Sequence, residues 1–537
     1  MTPRPSRDRA VRAALALAAA LLSSGAGTAA EVTLQMRGGD FSIKGDLRSY
    51  DGAKYVIESK SFGSMSLDAS RFECLGKDCP KAPVAVPAAQ SGGVLGQLGS
   101  TVWMGGSAQG TSVFPKMIQS YANSIGAQVT RVVGADAKNL EFKLSRPDGQ
   151  ELGVFHVHRQ GVPAGLEGLE KRTVDVTWSA RPITLEEQAR MQKSGLGNMR
   201  AAGNEHVYAL NAIVAIVAPE NPAVSISIDN LARIYSGEIT DWSQLGLPAG
   251  KINVYAMVET SGVWGSFEDL VMKPRQLKAR PDITRIDASN DWSDVVARDK
   301  AGIGITNVGI VRNSKALNVE ATCGLITRPS NFTAKTEEYP LMHRLHLYTP
   351  GQPRTALGRE LLAFAMSPRM QPVLKEANFV DQEPEALEFT AQTSRIAYAL
   401  NAQSEDFNME MMRTLITELK GASRLSITFR FANADANLDN RSLADVARLR
   451  DLLLSPEYKS KKVTLLGFAD AVGPFPANLK LAERRSAQVL RALTAAGGAP
   501  LRSQIMTRAY GELAPVACND SPDARAKNRR VEVWVRD

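Results

Sequence analysis

Near the C terminus an apolar strand runs directly into a glycine and an acidic loop. Val463-Thr464-Leu465-Leu466 is followed by Gly467-Phe468-Ala469-Asp470-Ala471-Val472-Gly473. Helical spacing then takes over in Asn478-Leu479-Lys480-Leu481-Ala482-Glu483-Arg484-Arg485-Ser486-Ala487-Gln488-Val489. Two more blocks complete the series, Ala509-Tyr510-Gly511-Glu512 and Asn528-Arg529-Arg530-Val531-Glu532-Val533. Upstream, Ser426 to Phe429 has strand character, and Leu443, Val446, Leu449 and Leu453 form one stripe on a helix ending at Leu454. With a second helix over 480–496 and a closing strand over 531–535, residues 421–537 are restricted to a β-α-β-α-β sandwich.

These four blocks, in this order and at these separations, resemble the OmpA-like peptidoglycan-binding family across the whole stretch. That family's pattern is a strand, GHTD-x-x-G, Asn, L-S-x-x-R-A, GYGE and a final NRRVE. The resemblance implies a site for diaminopimelate, an amino acid whose end carries both an ammonium and a carboxylate. One protein carboxylate and one guanidinium held close together complement both charges, and arginine meets a carboxylate bidentately. The family pattern assigns those roles to Asp470 and Arg485, fifteen positions apart. It places Asn478 in the supporting loop and Arg529, with Arg530, as braces or polymer contacts. Taken alone, Asp470 and Arg485 would pass for a surface ion pair worth about 0–1 kcal/mol. The ordered blocks reverse that reading. The His-Thr of the pattern is Phe468-Ala469 here and the L-S is Leu481-Ala482; neither change removes a charged contact.

From 101 to 385 apolar strands alternate with helical patterns, as in an α/β layered domain. Gly106-Ser107 ahead of a helix, Asp175 to Ile183, Pro219-Glu220-Asn221-Pro222, Ile234 to Trp242, Ser261-Gly262, Gly302-Ile303-Gly304 and Lys335 to Leu341 resemble the periplasmic phosphate-binding proteins of ABC transporters. The implied fold is the two-lobed type 2 periplasmic-binding-protein fold. In such folds a dianion is held by helix N-termini, hydroxyls and an arginine. Carried over residue by residue, Gly106, Ser107, Ser179, Ser261 and Gly262 occupy the anion-facing positions. Three positions depart from the pattern: Val263 replaces a threonine, Met257 an arginine and Ala180 a serine. Each lost hydrogen bond to a charge is worth about 1.5–3 kcal/mol. Two readings therefore stand. Either the cleft takes phosphate or a related oxyanion, with Arg181 or another basic residue compensating, or it has lost phosphate and serves as a protein-contact scaffold.

The start of the chain reads as processing rather than fold. Arg4, Arg7, Arg9 and Arg12 precede an apolar run from Ala13 to Leu22 and the small residues Thr28-Ala29-Ala30, which predicts a secretory signal over 1–30. A run of this length is too short for a membrane crossing, which takes about 20 residues. Residues 31–80 alternate in short runs broken by Gly38-Gly39 and Asp51-Gly52, predicting a small antiparallel β unit. A Pro-, Ala-, Ser- and Gly-rich linker occupies 81–100, and helical spacing marks a connector over 386–420. In an oxidising compartment, Cys74 and Cys79 are expected to close a local disulfide; for Cys323 and Cys518, pairing across domains and two buried thiols both remain open.

The net charge of +8 is modest and gives no argument for nucleic acid. His156 and His158 share a strand face, read as solvated, and the adjacent Glu337 and Glu338 would point apart on an extended chain. No nucleophile elbow, P-loop, zinc spacing or dinucleotide fingerprint occurs, so neither an enzyme activity nor a cofactor is expected. Together these readings predict a periplasmic solute-binding protein tethered to peptidoglycan, at the wall or the inner face of the outer membrane, with an ABC permease as a possible recipient of solute.

Overall fold

Two compact units divide between residues 94 and 95. The computed structural model describes residues 30–36, 42–50, 54–59, 63–68, 72–76, 79, 97–106, 109–132, 138–259, 261–287, 291–401, 408–431, 437–497 and 499–537. Residues 1–29 of the expected leader, Ser107 and most of the 81–100 linker lie outside the described residues.

The first unit is an antiparallel sheet in the order Gly63–Asp68, Lys54–Ser59, Ser42–Tyr50, Ala30–Met36, Phe72–Leu75. Period-two alternation sends Val32, Leu34, Ile43, Tyr55 and Ile57 to one face, where they form its core. The edge strand Phe72–Leu75 ends one residue past Cys74, which is bridged to Cys79. Gly76 supplies the positive φ of 130° that turns the chain between them.

The second unit begins with one sheet that passes through two lobes. Its order is Thr284–Ile286, Asn253–Met257, Gly302–Asn307, Glu205–Val217, Met342–Tyr348, Val176–Ser179, Gly99–Gly105, Glu151–Arg159, Asn139–Ser145, Gln128–Val132. Glu205–Val217 and Met342–Tyr348 pair antiparallel and cross between the lobes. Tyr208, Ala209, Leu345 and Leu347 pack with Trp103, Phe155 and Trp178 in the first lobe. Leu210 and Ala212 to Val217 pack with Trp264, Phe267 and Ile303 in the second. Two cores on one pair of shared strands make the architecture two-lobed.

The C-terminal module has its own sheet, in the order Ala386–Glu388, Ser423–Arg430, Arg530–Arg536, Lys462–Phe468, Ile505–Ala509. Helices Asn440–Leu454 and Phe475–Gly497 contribute Leu449, Leu453, Val489 and Leu493 to a core with Leu425, Ile427, Phe429 and Val533. Ile505–Ala509, running parallel to Lys462–Phe468, adds a strand between the second helix and the closing one. The segment read as a connector is built into this module. Ala386–Glu388 extends its sheet, and Met412, Leu415 and Leu419 of helix Met409–Leu419 cover Leu466, Phe468 and Trp534 on the opposite face.

The module is joined to the two-lobed domain by buried charge and by a covalent bond. On Ser423–Arg430 the residues facing away from the apolar core are Arg424, Ser426, Thr428 and Arg430, and all four are buried. Arg424 Nη2 donates to Glu338, and Arg441 Nη1 donates to Glu337 Oε1 at 2.6 Å. Arg344 bridges Glu337 at 2.6 Å and Asp439 at 2.7 Å. Burial alone would raise both glutamate carboxyls. Arg344 and Arg441 around Glu337, and Arg424 and Arg395 around Glu338, outweigh it and hold both below the usual carboxylate range. Cys323 and Cys518 form a disulfide across the same junction, which decides between the two alternatives left by the sequence.

Candidate functional site

The wall-binding candidates meet at the end of strand Lys462–Phe468. Gly467 is required there because a Cβ would lie 2.1 Å from the Ala482 carbonyl oxygen. The missing side chain lets helix Phe475–Gly497 sit against the strand, and this contact brings Arg485 to the strand end. Arg485 is fully buried. Its Nη1 donates to the Phe468 carbonyl at 3.3 Å, and its guanidinium lies 5.3 Å from the Phe431 ring centroid. Asp470 follows two residues after Phe468. Its Oδ2 accepts from Arg529 Nη1 at 2.8 Å, and its Oδ1 accepts from the Val472 amide at 3.2 Å.

The remaining blocks hold this loop in place. Asn478, 4% exposed, donates to the Gly473 carbonyl at 3.3 Å and to Glu512. The Ala469 amide donates to the Gly511 carbonyl at 2.7 Å. Asn528 accepts from the amides of Val516 and Ala517 at 2.9 and 3.1 Å and donates to Asn519, whose Oδ1 also receives the Ala471 amide. Arg530 lies 4.0 Å from the centroid of Phe468, the residue at the histidine position of the motif, and donates to Glu532 at 2.7 Å. Phe468 thus replaces a polar side chain with a face for a buried cation. The guanidinium that closes on Asp470 is that of Arg529. Arg485 reaches the same strand end from the helix, through the Phe468 carbonyl.

Among the anion-facing candidates of the two-lobed domain, Ser179 and Ser261 bond within the protein. Ser179 is 2% exposed; its hydroxyl donates to the Arg181 carbonyl at 2.6 Å and accepts the Arg181 amide at 3.1 Å. Arg181, considered as the compensating cation, is bound bidentately by Glu187 at 2.8 and 2.7 Å. That partner raises Arg181 above its ordinary value and lowers Glu187 to about 2. Ser261 caps helix Gly262–Phe267, accepting the Trp264 amide at 3.1 Å, and Gly262 opens that helix. Gly106 is at a bend after strand Gly99–Gly105, where a Cβ would come within 2.9 Å of the Val162 nitrogen. Met257 is buried, and the nearby guanidinium, Arg285, is 3.8 Å from the Trp264 ring centroid and donates to the Met257 carbonyl at 3.1 Å. His343 is half-buried with its Nε2 out of contact with solvent, and desolvation pushes it down to about 4, with the Asp269 carboxylate acting the other way.

Other sequence candidates resolve simply. His156 and His158 are edge neighbours with ring centroids 6.2 Å apart, and His156 faces Glu141 at 3.4 Å. Among the described residues no group of three or more His, Cys, Asp or Glu could hold a metal ion. Glu337 and Glu338 belong to the junction and are ionised there. Sequence reasoning did not assign them that role. The available signal was the polar alternation of Arg424, Ser426, Thr428 and Arg430 on a strand whose other face is apolar.

The comparisons agree with this architecture. A family model described as a PBP superfamily domain matches residues 59–369, and the OmpA family model matches residues 430–529. The chain belongs to the PBP superfamily and carries a C-terminal OmpA-family domain. The phosphate-binding protein PstS of Borreliella burgdorferi is 25% identical over 228 residues, covering 41% of this chain and 77% of that protein. Outer membrane porin F of Pseudomonas fluorescens is 36% identical over 112 residues, covering 21% of this chain and 33% of the porin. The crystal structure of PstS from Borrelia burgdorferi, at 22% identity, covers 52% of this chain and 98% of that chain with a TM-score of 0.39.

Proposed function

We propose that this protein is a non-enzymatic component of the periplasm that holds peptidoglycan through its C-terminal module and presents a solute-binding domain at the wall. The convergence of Asp470, Arg485 and Arg529 at one strand end carries the reading. Asp470 is oriented by Arg529 at 2.8 Å and offers a carboxylate to the ammonium of diaminopimelate. The family pattern gives the neighbouring carboxylate to Arg485, whose guanidinium is buried on the Phe468 carbonyl and meets a ligand only if the Asp470 loop, held by Asn478, yields. Burial around the site strengthens such charge-assisted bonds relative to water. Relatives of the two-lobed domain are named phosphate-binding proteins and one relative of the module is named a peptidoglycan-binding protein, which supports a tether rather than a hydrolase. Co-sedimentation with purified sacculi tests it. Asp470→Ala combined with Arg485→Ala is expected to leave the protein in the supernatant; co-sedimentation equal to the parent would remove the anchoring role.

For the two-lobed domain, the resemblance to phosphate-binding proteins favours phosphate or a related oxyanion, passed on to an ABC permease. A specific observation favours the alternative, a scaffold that has lost phosphate. The Ser179 hydroxyl donates to the Arg181 carbonyl and the Arg181 guanidinium is held by Glu187, while Ser261 uses its oxygen as a helix cap and keeps its O–H for a ligand. Isothermal titration with inorganic phosphate separates the two: saturable heat supports the oxyanion reading, and its absence up to millimolar phosphate supports the scaffold.

A further inference from the structure

The junction between module and two-lobed domain reaches past the second lobe to the hinge. Domains of this architecture open and close by bending where their strands cross between lobes. Here those crossings are Glu205–Val217 and Met342–Tyr348. The N-terminus of helix Asn440–Leu454 stands on them, and three consecutive residues there hold three different parts of the domain. Asp439 Oδ2 accepts from Arg344, on the crossing strand, at 2.7 Å. Asn440 Nδ2 donates to the Arg200 carbonyl at 2.9 Å and to Glu205 Oε2 at 2.8 Å, both in the first lobe. Arg441 donates to Glu337 Oε1 and to the Lys335 carbonyl, each at 2.6 Å, in the second lobe.

We propose that the wall-binding module is a brace across the hinge, fixing the angle between the lobes for as long as it is docked. One helix end cannot follow two bodies moving apart. A hydrogen bond is lost once its heavy atoms separate beyond about 3.5 Å, so a small opening at Arg200 breaks the hold of Asn440 while Arg441 stays with Glu337. The Cys323–Cys518 disulfide ties the module to the second lobe, and Thr322 beside it donates to Asp520. The module therefore cannot be shed, and the grip on the first lobe is the part that decides whether the lobes move. Glu205, the acceptor of that grip, is itself fixed by Tyr348 at 2.7 Å and by His346 at 3.3 Å. The brace is independent of wall binding and of the identity of any solute.

The test is an interlobe distance measured in the full chain. Spin labels at Gln150→Cys in the first lobe and Lys251→Cys in the second, both exposed positions, report it by pulsed electron double resonance. The otherwise unaltered chain is expected to give one narrow distance distribution. Asn440→Ala, which removes only the grip on the first lobe, is expected to broaden it or shift it by several ångströms. Asp439→Ala, Asn440→Ala and Arg441→Ala together should broaden it further while sacculus co-sedimentation persists. A distribution already broad in the parent, or one left unchanged by Asn440→Ala in a chain whose circular dichroism matches the parent, would overturn the brace. If the triple variant does not fold, the single variant decides.

Discussion

Removing the Cys323–Cys518 bridge, as Cys323→Ser with Cys518→Ser, isolates what the staple contributes. The two positions are 195 residues apart. In the loop-entropy treatment the unfolded chain loses about 2.1 + 1.5R ln n cal/mol/K on closure, which for this separation is about 18 cal/mol/K, or ~5 kcal/mol at 25 °C. With a urea slope of about 3 kcal/mol per M, the upper end for ordinary domains, the midpoint should fall by ~1.7 M. Strain in the native bond or residual structure in the denatured chain would reduce that figure but not its sign. The assay is urea unfolding of parent and variant, followed by tryptophan fluorescence and far-ultraviolet circular dichroism. A control variant, Cys74→Ser with Cys79→Ser, removes a loop of only five positions in the other unit, for which the same treatment gives ~2 kcal/mol. It should leave the transition of residues 95–537 unmoved. A midpoint shift below ~0.3 M for the long-loop variant would refute the reasoning, because the ends would then be held together in the denatured chain without the bond.

Three further outcomes follow from the geometry. Burial holds His343 neutral, down at about 4 against 6.5, so the unfolded chain binds the extra proton between those values. The resulting stability is present above pH 6.5 and is lost as pH falls toward 4, by about 2 kcal/mol between pH 7 and 5. A urea midpoint that falls over this range, and falls less in His343→Gln, checks it; an equal fall in both assigns the loss elsewhere. Gly467→Ala forces a Cβ onto the backbone of Ala482, where no rotamer relieves the contact. It should cost about 1–3 kcal/mol or more in urea unfolding and weaken sacculus binding, because the displaced helix carries both Asn478 and Arg485. At the junction, Glu338→Met strands Arg424 and should cost about 3–5 kcal/mol, whereas Glu338→Met with Arg424→Met should recover most of it. A double variant as unstable as the single would show that Arg424 relies on Glu532, at 3.5 Å, rather than on Glu338.

The parts of the structure that the sequence disclosed are those written locally. Gly467, Asp470, Asn478 and Arg485 lie within one strand, loop and helix, so their spacing brings them to one strand end, where Asp470 bonds Arg529 and Arg485 the Phe468 carbonyl. Arg529 was assignable as a brace, but its direct hold on Asp470 spans 59 positions and depends on how Arg530–Arg536 lies beside Lys462–Phe468. The α/β layering was legible from strand and helix alternation, and the two lobes from the resemblance to periplasmic phosphate-binding proteins. The occupation of Ser179, Arg181 and Ser261 by internal partners was not, because capping and salt bridging are decided by side-chain geometry. Glu337 and Glu338 were least legible. Glu337 takes a φ of 60° rather than an extended conformation, and its partners Arg344, Arg430 and Arg441 come from another strand and another domain.

The density of charge at this junction also bears on why the two domains are joined as they are. Buried ion pairs are seldom more stabilising than apolar side chains of the same volume, since desolvation offsets most of their attraction. Stability alone therefore does not explain Glu337, Glu338 and Glu532 meeting Arg344, Arg395, Arg424, Arg441 and Arg530 in one buried cluster. What such a cluster enforces is orientation. An apolar junction can slide or rotate at little cost, but here any other docking leaves several guanidiniums and carboxylates out of water without a counter-charge. The disulfide limits separation without fixing rotation, and the charges fix rotation. Acting together, they hold the strand end bearing Asp470 at a constant angle to the two-lobed domain, so that a module gripping a fixed polymer would present the domain's cleft in one direction.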